Sequence, residues 1–174
     1  KVKYNHLKTI YIGGGTPSSL NLELLKQFLT EILNVVKIDN IEEFTIEANV
    51  SDITGDFLKL IKSYGINRIS IGVQSSNNNL LRLIKRDHLR DDIYRVHNLL
   101  RQYGFNNYNF DFIHSIPSQI KEDVLDDLKI IKELKPHHIS YYSLIIEENT
   151  ELKYLLDHHQ LIAIDDDLDY EYSN

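Results

Sequence analysis

Five short runs of β-branched and aromatic residues are each followed by a stretch of helical periodicity. That alternation restricts the fold more than any other feature of the chain. The runs lie near residues 8–13, 42–48, 66–73, 107–113 and 138–144. Between the first two, Leu25, Phe28, Leu29, Ile32, Leu33 and Val36 recur at three- and four-residue spacing, which makes one apolar stripe on a helix. Phe57, Leu58, Ile61 and Tyr64 form the buried face of a second helix. Ile93, Val96, Leu99, Leu100 and Tyr103 form that of a later one, starting at Asp91 or Asp92. Leu80–Ile84 adds a short apolar segment, and a helix from about Lys121 is expected to bury Val124, Leu128 and Ile131. No Asn-Gly hairpin signal separates the strands, so the order β-α-β-α-β-α-β-α-β argues for a parallel sheet with helices outside. Ser63-Tyr-Gly-Ile-Asn67 and Gln102-Tyr-Gly-Phe-Asn106 repeat one helix-to-strand junction. Repeated βα units favour a barrel or part of one over an open sheet, although spacing alone leaves both open.

The first strand runs into Gly13-Gly-Gly-Thr-Pro-Ser18. Three glycines let the backbone turn sharply and let a ligand lie directly on peptide groups. The turn is neither the dinucleotide fingerprint G-x-G-x-x-G nor a P-loop, and taken alone it is as compatible with a structural turn as with a site. Asn21 and Thr54 are placed to cap helices, and Gly65 and Gly104 to end them. Gly14, Glu47, Gln74 and Asp111 each fall near the carboxyl end of a different strand. In parallel α/β folds that edge is where ligands bind, so four polar positions in register there point to a ligand site.

Composition excludes several classes. The net charge is −7 with no basic stripe, which argues against a nucleic-acid partner. No apolar run is long enough to span a bilayer, and no signal peptide is visible. With no cysteine the chain offers no disulfide and no thiolate ligand. With no methionine, even at position 1, Lys1 reads as an interior residue and residues 1–174 as one domain cut at both ends from something longer.

Gly13-Gly-Gly-Thr-Pro-Ser18, Thr45-Ile-Glu-Ala-Asn49, Arg68-Ile-Ser-Ile-Gly-Val-Gln-Ser75, Lys85-Arg-Asp-His88 and Asp111-Phe-Ile-His-Ser-Ile-Pro117 occur in this order. Together they resemble the radical S-adenosylmethionine (SAM) proteins related to oxygen-independent coproporphyrinogen III oxidase, over about Leu7 to Leu156. Ile145-Ile-Glu-Glu-Asn-Thr150 is more similar to the heme-chaperone branch than to the oxidase. The resemblance implies an α/β fold, a partial parallel (β/α) barrel of the radical SAM type lacking its first βα unit. It implies SAM as cofactor, contacted by Gly14, Gly15 and Thr16 through backbone groups and by Glu47, Gln74, Arg86 and Asp111 through side chains. Those residue types suit the ligand: carboxylates accept from an ammonium or from ribose hydroxyls, and Arg grips a carboxylate.

The resemblance also implies a [4Fe–4S] cluster, in the intact protein only, because the C-x3-C-x2-C motif belongs upstream of Lys1. Val50, Ser76, His114-Ser115 and Ser118 depart from the family pattern on loops above the barrel, leaving the second substrate open. The expected function is that of a SAM-binding segment of a heme-chaperone-like protein, with heme or porphyrinogen as further ligand, heme-accepting proteins as candidate partners, and a cytoplasmic or organelle-matrix location. One alternative is radical decarboxylation of coproporphyrinogen propionates; another is a silent barrel binding a nucleotide or a protein. No catalytic residue is assigned.

Other residues carry less. His137 and His138 are adjacent on a strand and so point to opposite faces, which disfavours a shared metal, and His158-His159 is likewise set aside. His114 reads as a loop histidine just beyond Asp111. Asp165–Asp167 reads as a helix N-terminus and not as a calcium site. Tyr170-Glu-Tyr-Ser-Asn174 resembles a later heme-chaperone motif, but the preceding acidic run is better read as opening the next barrel helix.

Overall fold

In each strand the residues alternate between two environments, and the alternation sorts the sheet into a helix-covered face and a polar face. The computed structural model describes residues 7–36, 38 and 40–173, without the side chain of Asp166. Lys1 and Asn174 lie outside the described residues. The strands are β1 (Thr9–Ile12), β2 (Glu43–Asn49), β3 (Arg68–Gln74), β4 (Tyr108–His114) and β5 (His138–Ser143). All neighbours pair in parallel, in the order β1-β2-β3-β4-β5. Right-handed crossovers that always step in the same direction put the main crossover helices on one face of the sheet. The opposite face then becomes the inside of an arc, which is the partial barrel expected from the sequence.

The helices are α1 (Leu22–Val35), α2 (Gly55–Ser63), α3 (Asn78–Leu83), α4 (Arg90–Gln102), α5 (Lys121–Leu134), α6 (Glu151–Asp157) and α7 (Asp166–Ser173). Their starts follow from side-chain caps. Asn21 Oδ1 accepts from Leu24 N at 2.9 Å and Thr54 Oγ1 from Phe57 N at 3.2 Å. Asp92 accepts from Leu89 N at 3.0 Å, and Asp165 from Leu168 N at 2.8 Å, as an acidic helix start requires. Gly65 and Gly104 end their helices at φ of 84° and 73°. Thr54→Ala is expected to cost about 1 kcal/mol, the usual loss for a helix N-cap. Urea unfolding measures it, and a change within a few tenths of a kcal/mol would contradict the capping role.

The core lies between helices and sheet. Phe44, Ile46, Ile69, Ile71, Phe110 and Phe112 meet Leu25, Leu29, Phe57, Ile61, Val96 and Leu100 there. Two helix faces differ from expectation. On α5, Leu128 is 45% exposed and Ile131 only half-buried, while Asp127 is fully buried in the line with Val124, Ile130 and Leu134. An i, i+3 step from Val124 reaches Asp127, and an i, i+4 step reaches Leu128; the helix is rotated toward the first. On α1, Phe28 is 42% exposed, and burial is carried by Leu25 and Leu29. No helix among the described residues is long and apolar enough to cross a membrane.

Candidate functional site

The polar face is set by position along the strands. Tyr11 of β1, Thr45, Glu47 and Asn49 of β2, Ser70 and Gly72 of β3, Asn109 and Asp111 of β4, and Ser140 and Tyr142 of β5 alternate with the helix-facing residues. Register brings Glu47 opposite Ser70 and Gly72 opposite Asp111. Ser70 Oγ donates to Asp111 Oδ2 at 3.0 Å, and Asn109 Nδ2 donates to Asp111 Oδ1 at 2.5 Å. His138 extends this layer through Nδ1 to Asn109 Oδ1 at 2.6 Å, a bond in which the ring nitrogen carries the proton.

Toward the carboxyl edge these residues open into a cavity. Gly15, Thr16, Glu47, Gln74, Arg86 and Asp111 line it, together with Asn49, Ser70, Gly72 and Tyr142. The sequence-derived residues Gly15, Thr16, Glu47, Gln74, Arg86 and Asp111 are thus brought together from five different segments. Gly14 stands just behind them, with its N–H donating to Glu47 Oε2 at 3.1 Å. Tyr11 OH donates to the other Glu47 oxygen at 2.6 Å, so the carboxylate ties the glycine turn to β1. Gly14 and Gly15 sit at φ of 81° and 64°, a region that non-glycine residues enter at a cost.

Gln74 closes β3 at φ 69°, after a register shift against β4 between Gly72 and Gln74. Its side chain folds back over Gly72: a Cβ there would stand 2.7 Å from Gln74 Nε2. Its Oε1 is buried and has no hydrogen-bond partner among the described residues, so the cavity holds an acceptor ready for a ligand donor. Arg86 is half-buried and fixed by a bond from Nη1 to Asn49 Oδ1 at 2.9 Å. Desolvation holds its pKa below the ordinary value, and among the described residues no carboxylate pairs with it. The Lys85-Arg-Asp-His88 segment is held by His88, whose Nε2–H donates to Val73 O at 3.0 Å. Burial keeps that imidazole neutral by lowering its pKa.

Asn49, Ser70 and Tyr142 line the cavity without having been assigned a role from the sequence. Asn49 and Ser70 fall inside the recognised segments, and cross-strand register was the missing information. Tyr142 carries only the alternation His138, Ser140, Tyr142 as a signal. Its phenol pKa is raised by burial and by the nearby Asp111 charge, so it is a neutral donor.

His114 corrects its expected placement. It is the last residue of β4, it is buried, and it faces the helix side with Phe110 and Phe112. There it packs on Tyr141 and pairs with Asp169 of α7 at 3.2 Å. Ser115 and Ser143 also donate to Asp169, so this cluster docks α7 and leaves the cavity untouched.

The cavity volume is about 170 Å³. That is below the roughly 300–1,000 Å³ of enclosed small-molecule sites, so a nucleoside-sized ligand would extend across the open edge. A second, largely apolar cavity of about 590 Å³ is lined by Leu83, Ile84, Leu144, Ile145 and Leu155, with Arg82, Lys85, Glu147 and Glu151 also on its wall.

The radical SAM superfamily profile matches residues 1–151. The chain is 42% identical over 144 residues to the heme chaperone HemW of Lactococcus lactis subsp. lactis (strain IL1403), covering 83% of this chain and 38% of that protein. It is 39% identical over 145 residues to the heme chaperone HemW of Bacillus subtilis (strain 168), with coverage of 83% and 38%. The chain therefore spans about two fifths of the length of these curated relatives. Among solved structures, coproporphyrinogen III oxidase (HemN) from Escherichia coli superposes with a TM-score of 0.80 at 25% identity, over 96% of this chain and 38% of that one. A profile match over most of the chain and a shared parallel half-barrel lead to one conclusion: the chain belongs to the radical SAM superfamily, in the group that holds heme chaperones and oxygen-independent coproporphyrinogen III oxidase.

Proposed function

We propose that residues 1–174 form a single SAM-binding barrel segment of a heme-chaperone-like protein. The observation that carries this reading is the convergence of Glu47, Gln74, Arg86 and Asp111 with the Gly15-Thr16 backbone on one polar cavity. The donor set fits SAM. The carboxylates of Glu47 and Asp111 would accept from its ammonium or ribose hydroxyls, and the carboxylate-free guanidinium of Arg86 would take its carboxylate. The buried Gln74 Oε1 offers one more acceptor. SAM, when bound and reduced by a cluster, supplies a 5′-deoxyadenosyl radical. This chain's residues bind and orient the cofactor; none is assigned to the chemical step.

The [4Fe–4S] cluster of the superfamily does not fit these residues. The chain has no cysteine, and among the described residues no group of three His, Cys, Asp or Glu side chains could hold a metal. Anaerobic reconstitution of residues 1–174 followed by iron and sulfide analysis is expected to find no stoichiometric cluster. Retention of four irons per chain would contradict that.

Heme as the second ligand is supported by the names of the relatives and by the largely apolar cavity lined by Leu144, Ile145 and Leu155, which offers a large apolar ligand a surface. The decisive measurement for the SAM reading is calorimetric titration of SAM into the folded chain, where saturable one-site binding is expected. No binding by a chain with native circular dichroism would overturn it. In the intact protein, heme uptake followed by its absorbance, set against turnover of coproporphyrinogen III, separates the chaperone from the oxidase.

A further inference from the structure

On the helix side of the sheet, α5 carries a fully buried carboxylate whose hydrogen bonds go to the loop after β3. Asp127 Oδ1 accepts from Ser76 N at 2.6 Å, and Ser75 Oγ lies 3.4 Å from Oδ2. One turn earlier on the same helix, Asp123 Oδ1 accepts from Asn77 Nδ2 at 2.6 Å. Both carboxylates therefore grip the loop that leaves β3, from a helix some fifty residues away in sequence. That loop is otherwise made of tight local turns: Ser75 N donates to Val73 O at 2.9 Å and Asn77 N to Ser75 Oγ at 3.1 Å.

The loop governs two cavity residues. Gln74 opens it, at a φ of 69° that a glutamine holds only when its surroundings impose it. At the far end, Asn77 Oδ1 caps α3 through Asn79 N at 2.7 Å. The chain after α3 is closed by Arg86 N donating to Leu81 O at 2.8 Å, so Arg86 is tied to α3 and, through the Asn77 cap, to the loop. A buried carboxylate is retained at a desolvation cost unless its acceptors are used, and here they are used on backbone and hydroxyl donors of one loop.

We propose that Asp127 is a positioning residue that clamps the Ser75–Asn77 loop to α5 and thereby holds Gln74 and Arg86 in the ligand cavity. The cavity's ligand is taken from the SAM reading above; the clamp itself is independent of it. The groups facing Asp127 are Asp123 from its own helix, Ser75 and Ser76 from the loop, and Tyr141 from β5, whose buried hydroxyl has no partner among the described residues and whose pKa is raised by burial. None of them is a cation, so the loop donors are what hold the carboxylate.

The test measures amide hydrogen exchange and SAM affinity on the full chain as wild type, Asp127→Ala and Asp127→Asn. Asp127→Ala is expected to speed exchange at residues 75–77 by about tenfold, leave residues 69–72 of β3 unchanged, and weaken SAM binding by about tenfold, the loss expected of a charge-assisted hydrogen bond. Asp127→Asn keeps an oxygen for Ser76 N–H and is expected to restore most of both. If Asp127→Ala does not fold, Ser75→Ala, which removes one loop donor, is expected to show the same local pattern. Unchanged loop exchange overturns the clamp, and a loosened loop with unchanged SAM affinity overturns the positioning role. A wild-type chain that fails to bind SAM overturns the SAM reading, while the exchange data still decide the clamp.

Discussion

Asp111→Ala and Glu47→Ala are each expected to weaken SAM binding by about 1–3 kcal/mol, the loss typical of a hydrogen bond to a charged group. Asp111 is held in place by Ser70 and Asn109, whose donors leave it aimed at the cavity. Its removal takes away an anionic acceptor and leaves the Ser70 hydroxyl without the carboxylate it donates to, while Asn109 Nδ2 keeps Ser70 Oγ and Ser140 Oγ. Glu47 has two tasks. It faces the cavity, and it accepts from Tyr11 OH and Gly14 N, so Glu47→Ala also releases the glycine turn. Glu47→Gln keeps one oxygen and a similar shape while removing the charge. An intermediate loss for Glu47→Gln would therefore separate recognition of a cationic group from support of the turn. Calorimetry on the three variants, made in the intact cluster-bearing protein, measures these effects. Wild-type affinity in both alanine variants, with the fold intact by circular dichroism, would remove the two carboxylates from the site. The two share one cavity, so their losses are not expected to add.

Strand identity was legible because it is a local signal. Period-two alternation in 42–48 and 107–113 puts Glu47 and Asp111 on the face opposite Phe44, Phe110 and Phe112, and the structure keeps them there. The caps Asn21 and Thr54 were legible for the same reason, since a cap and its acceptor helix are three residues apart. What escaped depends on distant partners. The burial of Asp127 in place of Leu128 is decided by donors on Ser75 and Ser76, and an apolar stripe read along α5 contains no trace of them. His114 reads from sequence as a loop residue just beyond Asp111, yet Asp169 and Tyr141 hold it at the end of β4. Asn49 and Ser70 enter the cavity through register with neighbouring strands, which single-strand patterns do not encode.

Asp127→Asn is expected to change the pH dependence of stability by about 2 kcal/mol between pH 4 and pH 7. Burial pushes the Asp127 carboxyl up from its ordinary 3.8 to about 6, although the Ser75 and Ser76 donors oppose the shift. Between those two values the folded chain holds a proton that the unfolded chain has released. Stability contributed by this group is therefore fully present below pH 3.8 and falls as pH rises through 6. Asparagine carries no charge at any of these pH values, so the variant should gain on the wild type as pH rises from 4 to 7. Other groups titrate nearby. His88, His97 and His114 have pKa values lowered by burial, so their contribution is present above pH 6.5 and fades as pH falls through the lowered values. Asp92 and Asp169 are lowered by their hydrogen bonds and act only below pH 3.8. All five are common to both proteins and cancel in the difference. Urea unfolding of wild type and Asp127→Asn at pH 4, 5, 6 and 7 measures that difference directly. Parallel stability curves would mean that the Asp127 carboxyl titrates at its ordinary value in the folded chain, and would overturn the prediction.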